Sequence, residues 1–226
     1  MSKNLLIVEG NADKHFIKEF LRCENLDIDL DVHVATAPEV DNNVNYTTKQ
    51  GVIKALNTLI PQLNDGRYER IGTVVDMDFR HDSKLSIKDL TLVQLSNVLN
   101  QYDFNRDMKS IDNQGIFFMS DEFDHPIGVW LMPDNDNEGY LEHWIINSIK
   151  DKSMSHFDKA ELFIERFDNT HFKSTTIAKA KVYTWLAIQK KPCMDLSRCL
   201  KSESNLLDRN SSSYQNFKAW IVKTFS

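Results

Sequence analysis

Two continuous apolar runs, each closing on acidic residues, constrain this chain more than any other feature. Leu5-Leu6-Ile7-Val8 leads into Glu9-Gly10, and Ile71-Gly72-Thr73-Val74-Val75 leads into Asp76-Met77-Asp78. An apolar run without alternation is what a strand covered on both faces requires. Such strands belong in a parallel sheet with helices on either side, where ligands gather at the carboxyl edge. Both runs therefore aim carboxylates at that edge. Four residues past Glu9, Asp13 stands where a helix should begin.

The rest of the chain fits an α/β reading. Apolar residues at helical spacing predict a helix over 13–22, with Phe16, Ile17, Phe20 and Leu21 on one face. Residues 28–34 alternate, as a strand with one wet face near a sheet edge does. Thr47 or Thr48 is positioned to cap a helix carrying Val52, Ala55, Leu56, Leu59 and Ile60, with Pro61 near its end. Ser86-x-x-Asp89 has capping-box spacing ahead of a helix to about Gln101. The runs 116–119 and 127–132 predict a hairpin, followed by the turn-rich stretch 133–139. Beyond it the pattern is helical, over about 140–150, 158–167, 174–189 and 214–225, with a polar loop at 202–213. Trp144, Trp185 and Trp220 fall on apolar faces as core anchors. The expected architecture is a mostly parallel sheet flanked by helices over 1–139. A helical C-terminal region, 140–226, packs on it, either as a sub-domain or within one single domain.

Charge is unevenly spread. The chain carries 27 Lys+Arg against 33 Asp+Glu, yet residues 140–226 hold 14 against 9, so the front part is strongly acidic and the tail mildly basic. An acidic front suits a cation site and a basic tail can face an anionic polymer, although solvated faces that merely differ in charge give the same count. No apolar run reaches a membrane span and no leader is evident, so a cytoplasmic location without membrane contact is expected. Cys23, Cys193 and Cys199 lack paired or zinc-binding spacing and read as reduced thiols.

The acids carry the chemistry. In Asp76-x-Asp78 both side chains point the same way if the backbone stays extended. Glu9, Asp13, Asp76 and Asp78 gathered at one edge would repel one another, and a hard cation with oxygen ligands resolves the repulsion. Taken singly, Asp13 also serves as a helix cap and Asp76 and Asp78 as turn residues. The stretch 134–139 imitates the first half of an EF-hand loop, but the twelfth place is Ile145, which rejects that motif. Asp134 and Glu138 are then either acids favoured by the next helix's dipole or a third arm of the metal site. The seven histidines show no ligand spacing. His33 is expected exposed, and His15 and His143 on helix surfaces. No nucleophile elbow, phosphate-binding glycine loop or dinucleotide fingerprint is present.

Val8-Glu9-Gly10-x-x-Asp13, followed after some sixty residues by Val74-Val75-Asp76-x-Asp78, resembles the Toprim domain of topoisomerases, bacterial primases, maturation ribonucleases and OLD-family nucleases. The likeness spans about residues 4–135. The acid four residues after Glu9 is most similar to the OLD-type subclass. The stretch Trp130-Leu131-Met132-Pro133-Asp134-Asn135 with Gly139-Tyr140-Leu141-Glu142 resembles small stand-alone prokaryotic Toprim-like proteins. The resemblance implies Mg2+ or Mn2+ held by Glu9, Asp13, Asp76 and Asp78, with Glu9 also as general acid/base. It implies a lysine beyond the Asp-x-Asp, for which Lys179 and Lys181 are the candidates; Arg80, just beyond Asp78, is by its position a further phosphate-binding candidate. On the residues alone a solvent-facing helix position is the better fit for either lysine, and Arg80 can instead pair with Asp76 or Asp82. The implied activity is cleavage of DNA or RNA phosphodiesters, alone, as a homodimer or with a separately encoded ATPase. The alternative is a non-catalytic module that binds nucleic acid or protein; a third possibility is chemistry on a small nucleotide. The net negative charge favours the module and the full set of four acids favours the enzyme.

Overall fold

The computed structural model describes residues 3–35, 48–79, 86–167, 170–192 and 194–226. Its strands are β1 (Asn4–Val8), β2 (Leu30–Val34), β3 (Arg70–Asp76), β4 (Asn105–Arg106), β5 (Ile116–Met119) and β6 (Ile127–Met132). They form a six-stranded sheet in the order β2-β1-β3-β6-β5-β4. The pairings β2–β1, β1–β3 and β3–β6 are parallel, and β6–β5 and β5–β4 are antiparallel. The fold is thus α/β with a mostly parallel sheet. The expected hairpin is β5–β6, and the alternating strand β2 lies at the edge.

Helices α1 (Asn11–Cys23), α2 (Thr48–Leu59), α3 (Pro61–Asn64) and α4 (Ile87–Leu99) accompany the sheet. The C-terminal region supplies α5 (Leu141–Asn147), α6 (Asp151–Glu165), α7 (Ile177–Ala187) and α8 (Ser212–Phe225), with a 3-10 helix, Leu196–Leu200, between the last two. Pro61 opens α3 rather than closing α2, because proline's missing N–H costs nothing at a helix start. Ser86 caps α4, accepting from the Asp89 amide at 3.0 Å and donating to the Asp89 carboxylate at 2.7 Å.

Strand alternation sends side chains to two cores. Leu6, Val8, Val74, Trp130 and Met132 face α1, α5, α6, α7 and α8. Leu5, Ile7, Val75, Val129 and Leu131 face α2 and α4. The C-terminal helices therefore share the first core with the sheet. Trp144, Trp185 and Trp220 are fully buried there, and each large apolar side chain so buried contributes roughly 2–3 kcal/mol. Close approach of α8 needs bare backbone beneath it: a Cβ on Gly72 would come within 2.7 Å of the Phe225 ring, and one on Gly128 would collide with Thr224. The loop expected at 202–213 is pinned, with Leu206 and Leu207 buried and the Asp208 amide on the Ser148 carbonyl at 2.7 Å.

Cys23 and Cys199 are free thiols; Cys193 lies outside the described residues. Among the described residues no helix is long and apolar enough to cross a membrane.

Candidate metal centre

The site forms where the parallel strands end. Glu9 follows β1 directly, and its carboxylate is nearly buried. Its Oε1 accepts from the amide of Asp76, the last residue of β3, at 2.9 Å, so the two strand tips are tied together. Gly10 turns the chain into α1, and Asp13 reaches back one turn to accept from the Gly10 amide at 2.9 Å. Asp76 lies two residues past Val74 on β3, on the face that looks toward α1. The start of α5 adds Glu142, which is 4% exposed, and the first turn of α7 adds Lys179. Glu9, Asp13, Asp76, Glu142 and Lys179 line one cavity of about 240 Å³, walled by Leu141 and Leu196.

Four carboxylates thus face one lysine, and the cost shows in the acidities of Asp13, Asp76 and Glu142. Burial pushes Asp13 up to about 6, reinforced by Glu142 and opposed by the Gly10 amide and Lys179. Burial also lifts Asp76 well above the carboxylate range, and the charges of Glu9, Asp13, Asp78 and Glu142 all push the same way. Glu142 is raised by burial, with Lys179 opposing. Such a set is relieved by protons or by a cation, and an all-oxygen set fits a hard divalent ion. As placed, no three His, Cys, Asp or Glu side chains converge tightly enough to grip an ion among the described residues. One oxygen of Glu9 and one of Asp13 are turned to backbone amides instead.

Glu9, Asp13 and Asp76 come together as the sequence predicts, and of the two candidate lysines Lys179 joins them. Asp78 does not. The chain leaves the strand after Asp76, Met77 buries into the second core and bridges Gly139, and Asp78 meets Lys49 of α2 at 3.1 Å, on the other side of the sheet. The regular strand has ended at Asp76, and Asp78 does not share its cavity. Lys181 is also elsewhere: two residues further along a helix is about 200° of rotation, and its ammonium binds Glu161 at 2.7 Å and Glu165 at 2.9 Å on α6. Asp134 is occupied within its own turn, accepting from the amides of Asp136 and Asn137 and from the Asn137 side chain. Glu138 is exposed, and neither it nor Asp134 lines the cavity, so they do not form a third arm. Arg80 and Asp82 lie outside the described residues, as does Thr47.

His15 is exposed as expected, but His33 and His143 are half-buried. His143 packs edge-on against Phe79 and Tyr140, and burial lowers its pKa. Glu142 is the site residue that sequence reasoning did not assign. Its signal was the Gly139-x-x-Glu142 stretch, which marked the end of the sheet without indicating that the carboxylate turns back onto Asp13. Tyr140 was likewise missed: its ring lies 4.9 Å from the Lys179 ammonium, and burial pushes its phenol up to about 12.

Over residues 3–226 the chain matches the model of a family described as "Protein of unknown function (DUF3226)", and it belongs to that family. No curated protein and no solved structure matches it.

Proposed function

We propose that this member of the DUF3226 family is a divalent-metal-dependent nuclease of Toprim type, acting in the cytoplasm on phosphodiesters of DNA or RNA. One observation carries the reading: Glu9, Asp13, Asp76 and Glu142 arrive from four separate elements and line one cavity with Lys179. Caps and turns alone do not require four acids to share a desolvated space, and burial there raises the pKa values of Asp13, Asp76 and Glu142. Mg2+ or Mn2+ held by Asp13, Asp76 and Glu142 would supply Lewis-acid stabilisation of charge at a phosphodiester. Glu9, fixed by the Asp76 amide, is oriented to accept or return a proton at the strand tips. Lys179, exposed at the cavity wall and braced on the Tyr140 ring, is placed to meet the negative charge of a phosphoryl group.

The test is incubation of the purified protein with supercoiled plasmid, single-stranded DNA and RNA in Mg2+, Mn2+ or EDTA. Cleavage is expected with metal only, and is expected to fall by orders of magnitude in Glu9→Ala and in Asp76→Ala. A protein inert on all three polynucleotides in both metals overturns the reading. A second reading, a non-catalytic module that binds nucleic acid or protein, is favoured by one observation: Asp78 is drawn away onto Lys49. Metal-independent binding without any cleavage would select it.

A further inference from the structure

A second cavity, of about 310 Å³, opens beyond the 3-10 helix that walls the acidic one. Four cations line it, Lys190, Lys191, Arg198 and Lys201, against one acid, Glu203, over a floor that includes Met194 and Leu206. A local excess of three positive charges is unusual in a chain with net charge −6. The ion pairs of Lys181 and Lys218 elsewhere in the fold close to 2.7 Å. Those around this cavity are longer. Arg198 stands 3.8 Å from Asp195, and Lys201 stands 3.7 Å from Glu19. The Glu19 carboxylate is already held by two nitrogens of Arg22, at 2.6 and 2.9 Å. Among the described residues Lys190 and Lys191 pair with no carboxylate. Like charges gathered around a hollow repel one another unless an anion enters it.

The position of the hollow suggests which anion. Leu196 lines the acidic cavity and Arg198, two residues on, lines the basic one. Both cavities lie along α1, with Asp13 in the first and Glu19 beside Lys201 of the second. Six residues of helix set these points about 9 Å apart along the axis and about 120° apart around it. A strand with one phosphate at the acidic cavity and wrapping α1 reaches the basic one within a few nucleotides. The apolar floor suits a sugar or base, which a free phosphate ion would leave uncovered.

We propose that the cavity lined by Lys190, Lys191, Arg198 and Lys201 binds a backbone phosphate of a nucleic-acid strand running along α1 from the acidic cavity. The inference rests on the nuclease reading for the identity of the strand, but its test reads binding alone. Anisotropy of a labelled short single-stranded DNA, and of an RNA of the same sequence, is measured in EDTA across a salt series. The proteins are the wild type, Lys190→Glu/Lys191→Glu, Arg198→Glu, and a control with the same charge change on exposed α6 positions, Lys152→Glu/Lys159→Glu. The cavity variants should lose affinity at least tenfold. The slope of log affinity against log salt should become shallower by about 0.7 for each phosphate no longer neutralised, while the control stays near wild type. An equal loss in the control, or unchanged binding in both cavity variants, overturns the proposal. So does a mononucleotide or inorganic phosphate that competes as strongly as the oligonucleotide, because the cavity would then hold a free anion. Cleavage in Mn2+ with unchanged salt slopes would sink this proposal and leave the nuclease reading standing. Lost binding in the variants of a protein that never cleaves would do the reverse.

Discussion

The two ends of α1 hold acids in opposite ways. At the C-terminal end Glu24, with a side chain only 6% exposed, receives Tyr214 Oη at 2.7 Å, Lys218 Nζ at 2.7 Å and Arg209 Nη1 at 3.2 Å. Burial alone would raise its pKa. Hydrogen bonds from Lys218 and Tyr214, with the charge of Arg209, reverse that and hold it below the ordinary glutamate range. At the N-terminal end Asp13, Asp76 and Glu142 have one lysine among them, and burial wins. The difference lies in α8 and the loop before it, which bring two cations to Glu24 and none to the strand tips. This fold can neutralise a buried acid. It leaves three others raised side by side at the strand tips, and on that imbalance the proposed metal site rests.

The sharpest break of that comparison is functional. Alanine at Glu9 or Asp76 should lower metal-dependent cleavage by roughly 10²–10³-fold, read as initial rates on plasmid. Alanine at Glu24 should leave the rate per folded molecule unchanged. Stability should show the mirror image. Removing the carboxylate charge with Glu24→Gln strands two cations and should cost roughly 3 kcal/mol in a urea titration, the lower end for a buried pair whose partners are partly exposed. Asp76→Asn should cost nothing at neutral pH, or gain. If both substitutions destabilise alike, the two ends are not different in kind.

Much of this contrast was legible before folding. Continuous apolar runs located β1 and β3, and with them the direction in which Glu9 and Asp76 are delivered. The capping position gave Asp13. What failed was whatever depended on the chain's course beyond an element. Asp78 followed from strand alternation, but β3 ends at Asp76 and the Asp78 carboxylate goes to Lys49 of α2 instead. Glu142 lies more than 120 residues from Asp13, and only the packing of α5 against the sheet brings them together. Lys179 and Lys181 flank the same buried stripe, Ala178, Val182 and Trp185, so choosing between them needed to know which neighbour lies on each side. β4, at two residues, is too short to show any period.

The pH dependence of folding sharpens the comparison further. A carboxyl raised in the folded state binds a proton that the unfolded chain releases, so its contribution is full below the unfolded pKa and is lost as pH rises through the folded one. For Asp13, moved from 3.8 to about 6, the loss falls between about pH 4 and pH 6 and is on the order of 3 kcal/mol. Glu24, held low, works the other way: its contribution is present above its unfolded pKa and disappears as acid is added. In EDTA, Asp13→Asn should flatten the decline above pH 4 and keep the acceptor for the Gly10 amide. Glu24→Gln should flatten the acid limb. Denaturation series from pH 3 to pH 8 would reveal an unaltered profile in either variant. A divalent ion should act on the first group alone: at ten times its dissociation constant Mg2+ adds about 1.4 kcal/mol to stability, and Asp76→Ala should abolish that gain.

The smallest effect expected separates the two lysines of α7. Lys181 is ion-paired to Glu161 and Glu165, whose side chains are 38% and 50% exposed, and partly exposed pairs of this kind contribute less than about 1 kcal/mol. Lys181→Met should therefore shift the melting temperature by only a degree or two and leave cleavage and its metal dependence as they were. Lys179→Met removes the one cation that faces Asp13 and Glu142 among the described residues. It should slow cleavage about tenfold or more and raise Asp13 further, moving the stability loss to higher pH. Helical phase alone distinguishes these two substitutions, two residues apart on one helix. Equal effects on cleavage would mean that the acidic cavity does not draw on Lys179, and the charge imbalance there would then be greater than four acids against one base.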